Sequence, residues 1–233
     1  MSLRHEIPRQ EADEQLDQLL QTDAGRTTHW ATLFENCHRD SMVSLLESTL
    51  HLPGDVIECG VYRGGSLRRI CRTLKDQSPH KSVYACDSYE GFPEEKVGRV
   101  DLGFLRFLHR VKKKFQLAGD VPERMERFFD MYGIDGQIVK GYFSDTLGRF
   151  EHHTFCFIHL DCDIYESYKE CLTVLYPKLT PGGVVVFDDY GSSKWPGAKK
   201  AVDEFFSGMK ESPCLSTDRQ EPSWYVRKPA ASN

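Results

Sequence analysis

The feature that most constrains the fold of this chain is an alternation of short apolar segments with helical ones. Helical spacing of apolar residues occurs within 66–74, 101–131, 165–175 and 195–209, and two weak strands near Cys214 and Tyr225 end the pattern. Five strand segments, each ending at a glycine or an aspartate, lie at 55–60, 82–87, 136–141, 153–161 and 182–189. Apolar strands that alternate with helices predict an α/β fold with a doubly wound, mostly parallel sheet.

The same pattern predicts one main domain with a helical addition before it. Residues 1–50 are expected to form a helical N-terminal extension or lid: residues 1–25 are polar, and apolar residues recur at helical spacing over 29–50, before the Pro53-Gly54 turn. Residues 51–228 would form the α/β domain, and residues 229–233 a tail. We find no internal repeat and no linker that would divide the domain.

Composition argues against two classes of function. The formal net charge of −5 gives no electrostatic basis for binding nucleic acid. The basic run at 112–114 is interpreted as the solvated face of a helix. No stretch approaches the roughly 18 consecutive apolar residues of a membrane-spanning helix, and the polar start lacks an apolar signal segment. The 8 cysteines show no C-x-x-C spacing. We therefore expect a reduced, cytoplasmic protein that binds neither nucleic acid nor a membrane.

The end of the first strand has the residues of a cofactor-binding turn. In V-I-E-C-G-V-Y-R-G-G-S, the glycines Gly60, Gly64 and Gly65 allow a tight turn and a close approach to a ligand. The helix that begins near Ser66 would present free N–H groups to a small anion such as a carboxylate. Glu58 could meet a cationic amino group. The spacing G-x-x-x-G-G differs from the G-x-G-x-x-G of dinucleotide-binding proteins.

Residues at the next two strand ends extend this prediction to a nucleoside. Asp87 ends the second strand, where an acid can accept both hydroxyls of a ribose. Gly141 and Ser144 lie at the end of the third strand and would border an adenine. Glycines after a strand are often only a turn, but the acids and glycines together predict a nucleoside cofactor that carries an amino acid group.

Four aspartates lie at the ends of the fourth and fifth strands, in L-D-C-D-I-Y and F-D-D-Y. Consecutive parallel strands are often neighbours about 4.8 Å apart, so these carboxylates would crowd together. Like charges destabilise one another unless a hard cation such as Mg²⁺ neutralises them. We assign Asp161, Asp188 and Asp189 as metal ligands, and Asp163, expected on the same face as Asp161, as general base. The alternative is that the aspartates are helix caps and turn formers.

Two parts of the chain resemble the macrocin O-methyltransferase family. One is L-D-C-D-I-Y-E-S-Y-K-E-C-L, continuing through L-Y-P-K-L-T-P-G-G-V-V-V-F-D-D-Y to G-A-K-K-A-V-D-E-F-F. The other is I-E-C-G-V-Y-R-G-G-S with D-S-Y-E-G-F-P, which adds Ser88 to the candidate cofactor residues. The resemblance covers roughly residues 50–210. It implies the same metal ligands and base as above.

The resemblance also implies an activity and an architecture. Family members are class I, Rossmann-like methyltransferases whose seven-stranded sheet includes an antiparallel strand, and they are commonly oligomeric. They transfer a methyl group from S-adenosylmethionine to sugar hydroxyls of glycosylated natural products, using Mg²⁺. Catechol-type relatives use a lysine where this chain has Ile164, which argues against their mechanism here. We therefore predict an O-methyltransferase that acts on a small-molecule hydroxyl acceptor and forms a homo-oligomer.

Two other readings stay open at this point. One is a nucleotide-dependent oxidoreductase on a similar sheet, which the missing G-x-G-x-x-G and the four aspartates disfavour. The other is a non-catalytic cofactor-binding protein, which would not need Asp163 beside three metal ligands. The acceptor itself is not determined, because the basic stretch 101–135 differs from the shorter segment of sugar-methylating members and could line the acceptor pocket or an oligomer contact.

Overall fold

Helices and strands alternate along the chain in the computed structural model, which describes residues 40–101 and 121–230. We number the α-helices and strands of this part in chain order. They are α1 (Ser41–Glu47), β1 (Asp55–Cys59), α2 (Gly65–Gln77), β2 (Val83–Asp87), α3 (Val121–Tyr132), β3 (Gly136–Lys140), α4 (Phe143–Thr146), β4 (Phe155–Leu160), α5 (Tyr165–Leu175), β5 (Leu179–Phe187), α6 (Pro196–Phe206), β6 (Cys214–Ser216) and β7 (Ser223–Arg227). Short 3₁₀ helices lie at Glu94–Lys96, Leu147–Phe150 and Tyr176–Lys178.

The strands form one seven-stranded sheet in the order β3-β2-β1-β4-β5-β7-β6. The first five strands in this order are parallel, whereas β7 runs antiparallel to both of its neighbours. The chain order reverses between β1 and β4, which lie side by side with Cys59 opposite Leu160. In open α/β sheets ligands bind at such a switch point, outside the carboxyl ends of the strands.

Two apolar cores cover the two faces of the sheet. One face packs against α1, α2 and α3, and includes Val56 and Phe157 from adjacent strands. The other packs against α5 and α6, and includes Ile57 and Ile158. Strands buried on both faces explain the continuous apolar runs in the sequence. Cys59, Cys86 and Cys156 lie fully buried in these cores as small apolar residues.

The predicted fold class is confirmed. The doubly wound sheet, the helix at 165–175 and the two weak C-terminal strands are all present. Of the predicted N-terminal helical extension, only α1 lies in the described part, and residues 1–39 lie outside it. The basic run at 112–114 also lies outside the described residues. Within residues 40–101 and 121–230, no helix is long and apolar enough to cross a membrane.

Candidate active site at the carboxyl ends of the strands

The candidate site is built around the closely packed ends of β1 and β4. The Asp161 N–H donates to the Cys59 carbonyl at 2.9 Å, and the Gly60 N–H donates to the Cys86 carbonyl on β2 at 2.9 Å. Gly60 has φ +90°, and a Cβ there would lie 1.8 Å from the Asp161 carbonyl oxygen. Only glycine allows this approach, so Gly60 permits the close contact between the glycine-rich turn after β1 and the segment that carries Asp161.

Asp87 organises the turn that follows β1. Its Oδ2 accepts hydrogen bonds from the N–H groups of Val61 and Tyr62, both at 2.8 Å. Its Oδ1 accepts the Tyr89 N–H at 2.7 Å. The carboxylate therefore holds the glycine-rich turn and the start of the next loop together. Acceptor capacity is left mainly on Oδ1, since a carboxylate has about four lone-pair positions.

The turn leads directly into α2. Gly64 is the N-cap of this helix with φ +82°, and it has no side chain with which to cap it. A Cβ at Gly64 would lie 2.4 Å from the Met125 sulfur, so α3 packs directly on the turn. Gly65 and Ser66 form the first turn of α2 and are half-buried. The helix N-terminus thus borders the strand-end edge, as the sequence predicted.

Glu58 forms a buried pair with His159 on the neighbouring strand. The two residues are opposite each other in the β1–β4 register, and Glu58 Oε1 lies 2.9 Å from His159 Nδ1. Glu58 Oε2 is buried and has no hydrogen-bond partner among the described residues. Burial would lower the His159 pKa, but the hydrogen bond and charge of Glu58 act against it, and the pKa is raised overall. An unpaired buried carboxylate oxygen is costly unless a ligand supplies the missing donor.

The remaining predicted cofactor residues differ in their surroundings. Gly141 has φ +134°, and its N–H donates to the Asp87 carbonyl at 2.9 Å, so it lies beside the predicted ribose position. Ser144 is exposed and bonds to the adjacent Asp145. Ser88 donates to the Gly91 carbonyl at 2.7 Å, which gives its hydroxyl a local turn-forming contact.

Three of the four aspartates come together beyond the carboxyl ends of β4 and β5. Asp161, Asp163 and Asp189 each contribute one carboxylate oxygen to a group in which all oxygens lie within 4.8 Å of one another. Asp189 Oδ2 also accepts the Asp163 N–H at 3.0 Å and the Tyr168 hydroxyl at 3.1 Å. Asp188 follows directly on β5, but its side chain is exposed, and it is not one of these three.

The turn that carries Asp163 has a strained backbone. Strand β4 ends at Leu160, before Asp161 and Asp163. The alternation of side chains along a strand, on which the sequence prediction relied, therefore does not extend to these two aspartates. Instead, Asp163 has φ +62°, and the Ile164 N–H donates to the Cys162 carbonyl at 2.7 Å. A classic γ-turn has a backbone hydrogen bond from residue i+2 to the carbonyl of residue i and a positive φ at the residue between them. This turn is rare and strained. Such strain is typical of functional sites.

Electrostatics in this group favour neutralisation by a proton or a cation. Burial and the neighbouring carboxylates raise the pKa of Asp161 and the pKa of Asp163 well above the ordinary value of an aspartate. Burial and the charge of Asp188 raise the pKa of Asp189 to about 7, although its hydrogen bonds from Asp163 and Tyr168 oppose the shift. Three carboxylates at this spacing match the oxygen ligands that a hard divalent cation prefers.

Three residues of the site were not singled out from the sequence. His159 could have been noticed as a histidine in an apolar strand, and Tyr168 as a tyrosine on the buried face of α5. Tyr89 has φ +55° and a buried hydroxyl with no partner among the described residues. Its location in the segment D-S-Y-E-G-F-P was the only sequence signal for it.

The sheet order and its antiparallel β7 define a class I methyltransferase-like fold. Superposition on the solved structure of the O-methyltransferase NovP gives a TM-score of 0.67 at 29% identity, covering 83% of this chain and 80% of that one. A family model described as Macrocin-O-methyltransferase (TylF) matches residues 37–220. The chain therefore belongs to the macrocin O-methyltransferase family, as the motifs predicted.

Two curated relatives share part of the chain. Demethyldecarbamoylnovobiocin O-methyltransferase of Streptomyces niveus is 34% identical over 160 residues, covering 66% of this chain and 59% of the relative. The 8-demethyl-8-(2,3-dimethoxy-alpha-L-rhamnosyl)-tetracenomycin-C 4'-O-methyltransferase of Streptomyces olivaceus is 38% identical over 146 residues, covering 60% of this chain and 54% of the relative. The match thus spans less than two thirds of the length of either relative.

Proposed function

We propose that this protein transfers a methyl group from S-adenosylmethionine to a sugar hydroxyl of a glycosylated natural product, with a divalent cation held by aspartates. The observation that carries this proposal is the meeting of the three-carboxylate group and the glycine-rich turn at one switch point. Family membership supports it. The rhamnosyl acceptor named for the Streptomyces olivaceus relative supports a sugar as the acceptor.

The cofactor would lie across the ends of β1, β2 and β3. The unpaired Glu58 Oε2 is suited to the amino group of the methionine part, and the N-terminus of α2 to its carboxylate. Asp87 Oδ1 would accept a ribose hydroxyl, while Gly141 would border the adenine. Ser66, Ser88 and Ser144 stay candidate contacts, and the Ser88 hydroxyl already donates to the Gly91 carbonyl.

The aspartates would supply the reactive end. Asp161, Asp188 and Asp189 would hold Mg²⁺, and the Oδ2 of Asp189 is already engaged, which leaves its Oδ1 for the cation. A bound divalent cation lowers the pKa of a coordinated hydroxyl and orients it. The Asp188 side chain, which is exposed to solvent, would complete this set.

Asp163 is the proposed general base. Its carboxylate would take the proton of the acceptor hydroxyl as the acceptor oxygen attacks the methyl carbon. The methyl–sulfur bond would break with its electron pair staying on sulfur, so the products would be S-adenosylhomocysteine and a methyl ether. The turn at Asp163 directs its backbone N–H to Asp189, which ties the base to the ligand group.

The experiment is calorimetric titration of the full chain with S-adenosylmethionine and S-adenosylhomocysteine, with Mg²⁺ and then with EDTA. We expect cofactor binding together with a separate Mg²⁺ signal, followed by methyl transfer to glycoside acceptors. Cofactor binding without a Mg²⁺ signal would remove the metal from the proposal. Absence of cofactor binding would favour the oxidoreductase reading, and binding without turnover on any acceptor the non-catalytic one.

A matched pair of variants separates the ligand from the base. Asp188→Asn should weaken Mg²⁺ binding at least tenfold and leave S-adenosylmethionine binding within twofold. Asp163→Asn should leave Mg²⁺ binding nearly intact and reduce kcat by about 10²-fold or more, the usual contribution of a general base. The reverse result would exchange the two roles and make Asp163 the third ligand beside Asp161 and Asp189.

A cytoplasmic location and a homo-oligomeric state stay predictions.

A further inference from the structure

Asp101 is a buried carboxylate far from the aspartate group in sequence but next to it in the fold. Its side chain is fully buried, and its two carboxylate oxygens lie 3.3 and 3.4 Å from the backbone nitrogen of Tyr165, which donates to them. Tyr165 is the first residue of α5, and the N-cap of that helix, Ile164, has no side chain that can accept a hydrogen bond. Asp101 therefore supplies the missing cap from a distant part of the chain, where its negative charge also suits the helix dipole.

The same carboxylate also fits against the start of α6. A Cβ at Gly197, in the first turn of that helix, would lie 1.9 Å from Asp101 Oδ1. This contact requires glycine because no larger side chain leaves room for the carboxylate. Asp101 thus lies between the N-terminal ends of two helices that pack side by side on one face of the sheet.

The segment that precedes Asp101 contacts both helices. We call residues 88–101 the docking loop; it begins directly after Asp87 at the end of β2. Lys96 forms an ion pair with Glu170 of α5 at 2.6 Å. The Phe92 ring contacts the Trp195 ring, just before α6, with 5.9 Å between centroids. The docking loop therefore connects the proposed cofactor end of the site to the helix that follows the aspartate turn.

We propose that Asp101 is a positioning residue for the Asp161–Asp163 turn. Only Ile164 separates Asp163 from the first helical residue. Because Asp163 also has a positive φ, the direction of its carboxylate depends on where α5 begins. By fixing the first N–H of α5, Asp101 holds this turn in the arrangement that groups the three carboxylates. This inference rests on the proposed function, because the turn matters for the cation and the acceptor proton.

The test compares Asp101→Ala with Asp101→Asn, which keeps an oxygen that can accept the Tyr165 N–H. Mn²⁺ is titrated into the full chain without acceptor, and S-adenosylmethionine is titrated separately. We expect Asp101→Ala to weaken Mn²⁺ binding at least tenfold and to lower kcat more than it raises the acceptor KM. Cofactor affinity should stay within twofold, and Asp101→Asn should recover most of the loss. Hydrogen exchange at the Tyr165 amide should become faster in the alanine variant.

Two further variants distinguish positioning from a general loss of stability. Glu170→Gln breaks an ion pair of the docking loop without touching the cap, and should leave Mn²⁺ binding within twofold. Gly197→Ala should weaken Mn²⁺ binding when Asp101 is present. In the Asp101→Ala background the same substitution should weaken Mn²⁺ binding less, because the new methyl group no longer clashes with the Asp101 carboxylate. A folded Asp101→Ala variant that binds Mn²⁺ like the unaltered chain would overturn the inference alone. An unaltered chain that binds no Mn²⁺ would instead overturn the metal in the proposed function.

Discussion

Glu58 is an acid in the interior of the sheet whose two oxygens have different surroundings. Oε1 is hydrogen-bonded to His159, while Oε2 is buried without a partner among the described residues. A strand made only for packing would carry an apolar residue here, as Val56 does on the same face. The unpaired oxygen therefore points to a ligand with a cationic donor, because a hydrogen bond to a charged group contributes about 1.5–3 kcal/mol.

We predict that Glu58→Gln lowers S-adenosylmethionine affinity at least tenfold. The substitution keeps the size of the side chain but removes the charge that would bind the ammonium group. Adenosine has no amino acid part, so its affinity should change by less than twofold. Calorimetric titration of both compounds into both proteins tests this. An equal loss for both ligands would mean that Glu58 acts only through the fold.

The contact between the ends of β1 and β4 depends on the absence of one side chain. At Gly60 a Cβ would overlap the carbonyl of Asp161, which is backbone and cannot move aside easily. Gly208 has a similar φ of +82°, but nothing lies within 4 Å of its Cβ position. The two glycines therefore separate the cost of backbone strain from the cost of steric overlap.

We predict that Gly60→Ala destabilises the protein by roughly 3 kcal/mol or more. A left-handed backbone costs an alanine about 1–2 kcal/mol, and overpacking adds about 1–3 kcal/mol. Gly208→Ala should cost only the first part. Urea unfolding of the two variants measures the difference. Similar losses in the two would show that the ends of β1 and β4 can separate at little cost.

Within the described residues, a group of carboxylates lies where the strand ends of the two halves of the sheet meet. Burial raises the pKa of Asp189 to about 7, well above its value in an unfolded chain of about 3.9. The folded state then binds more protons than the unfolded state between these values, so stability falls as pH rises from about 4 to about 7. The raised pKa of His159 acts with the same sign.

We predict that Mg²⁺ raises the Tm of the full chain by several degrees at pH 7.5 and by much less at pH 5. At the higher pH the cation binds ionised carboxylates, while at the lower pH protons compete for the same oxygens. For a domain of this size, 1 kcal/mol corresponds to about 2–4 °C. Asp189→Asn should reduce the fall in metal-free Tm between these pH values, leaving the contributions of Asp161, Asp163 and His159. A Mg²⁺ effect independent of pH would contradict a site of buried carboxylates.

Much of this protein could be predicted locally. The strands follow from continuous apolar runs, the helices from apolar spacing, and the candidate site from acids and glycines at strand ends, since parallel strands bring those ends to one edge. These features depend on residues close together in the chain. The strand ends at Asp87 and Asp161 were accordingly within one or two residues of their observed positions.

Other features needed the folded chain, because they depend on contacts between distant segments. Glu58 meets His159 only because β1 and β4 are adjacent, and Asp101 meets Tyr165 only because the docking loop crosses two helices. The backbone turn at Asp163, rather than strand alternation, brings Asp163 to Asp161 and Asp189 while Asp188 stays exposed. Sequence spacing gives the residue types at a strand end, but side-chain direction beyond that end is set by turn dihedrals and by tertiary hydrogen bonds.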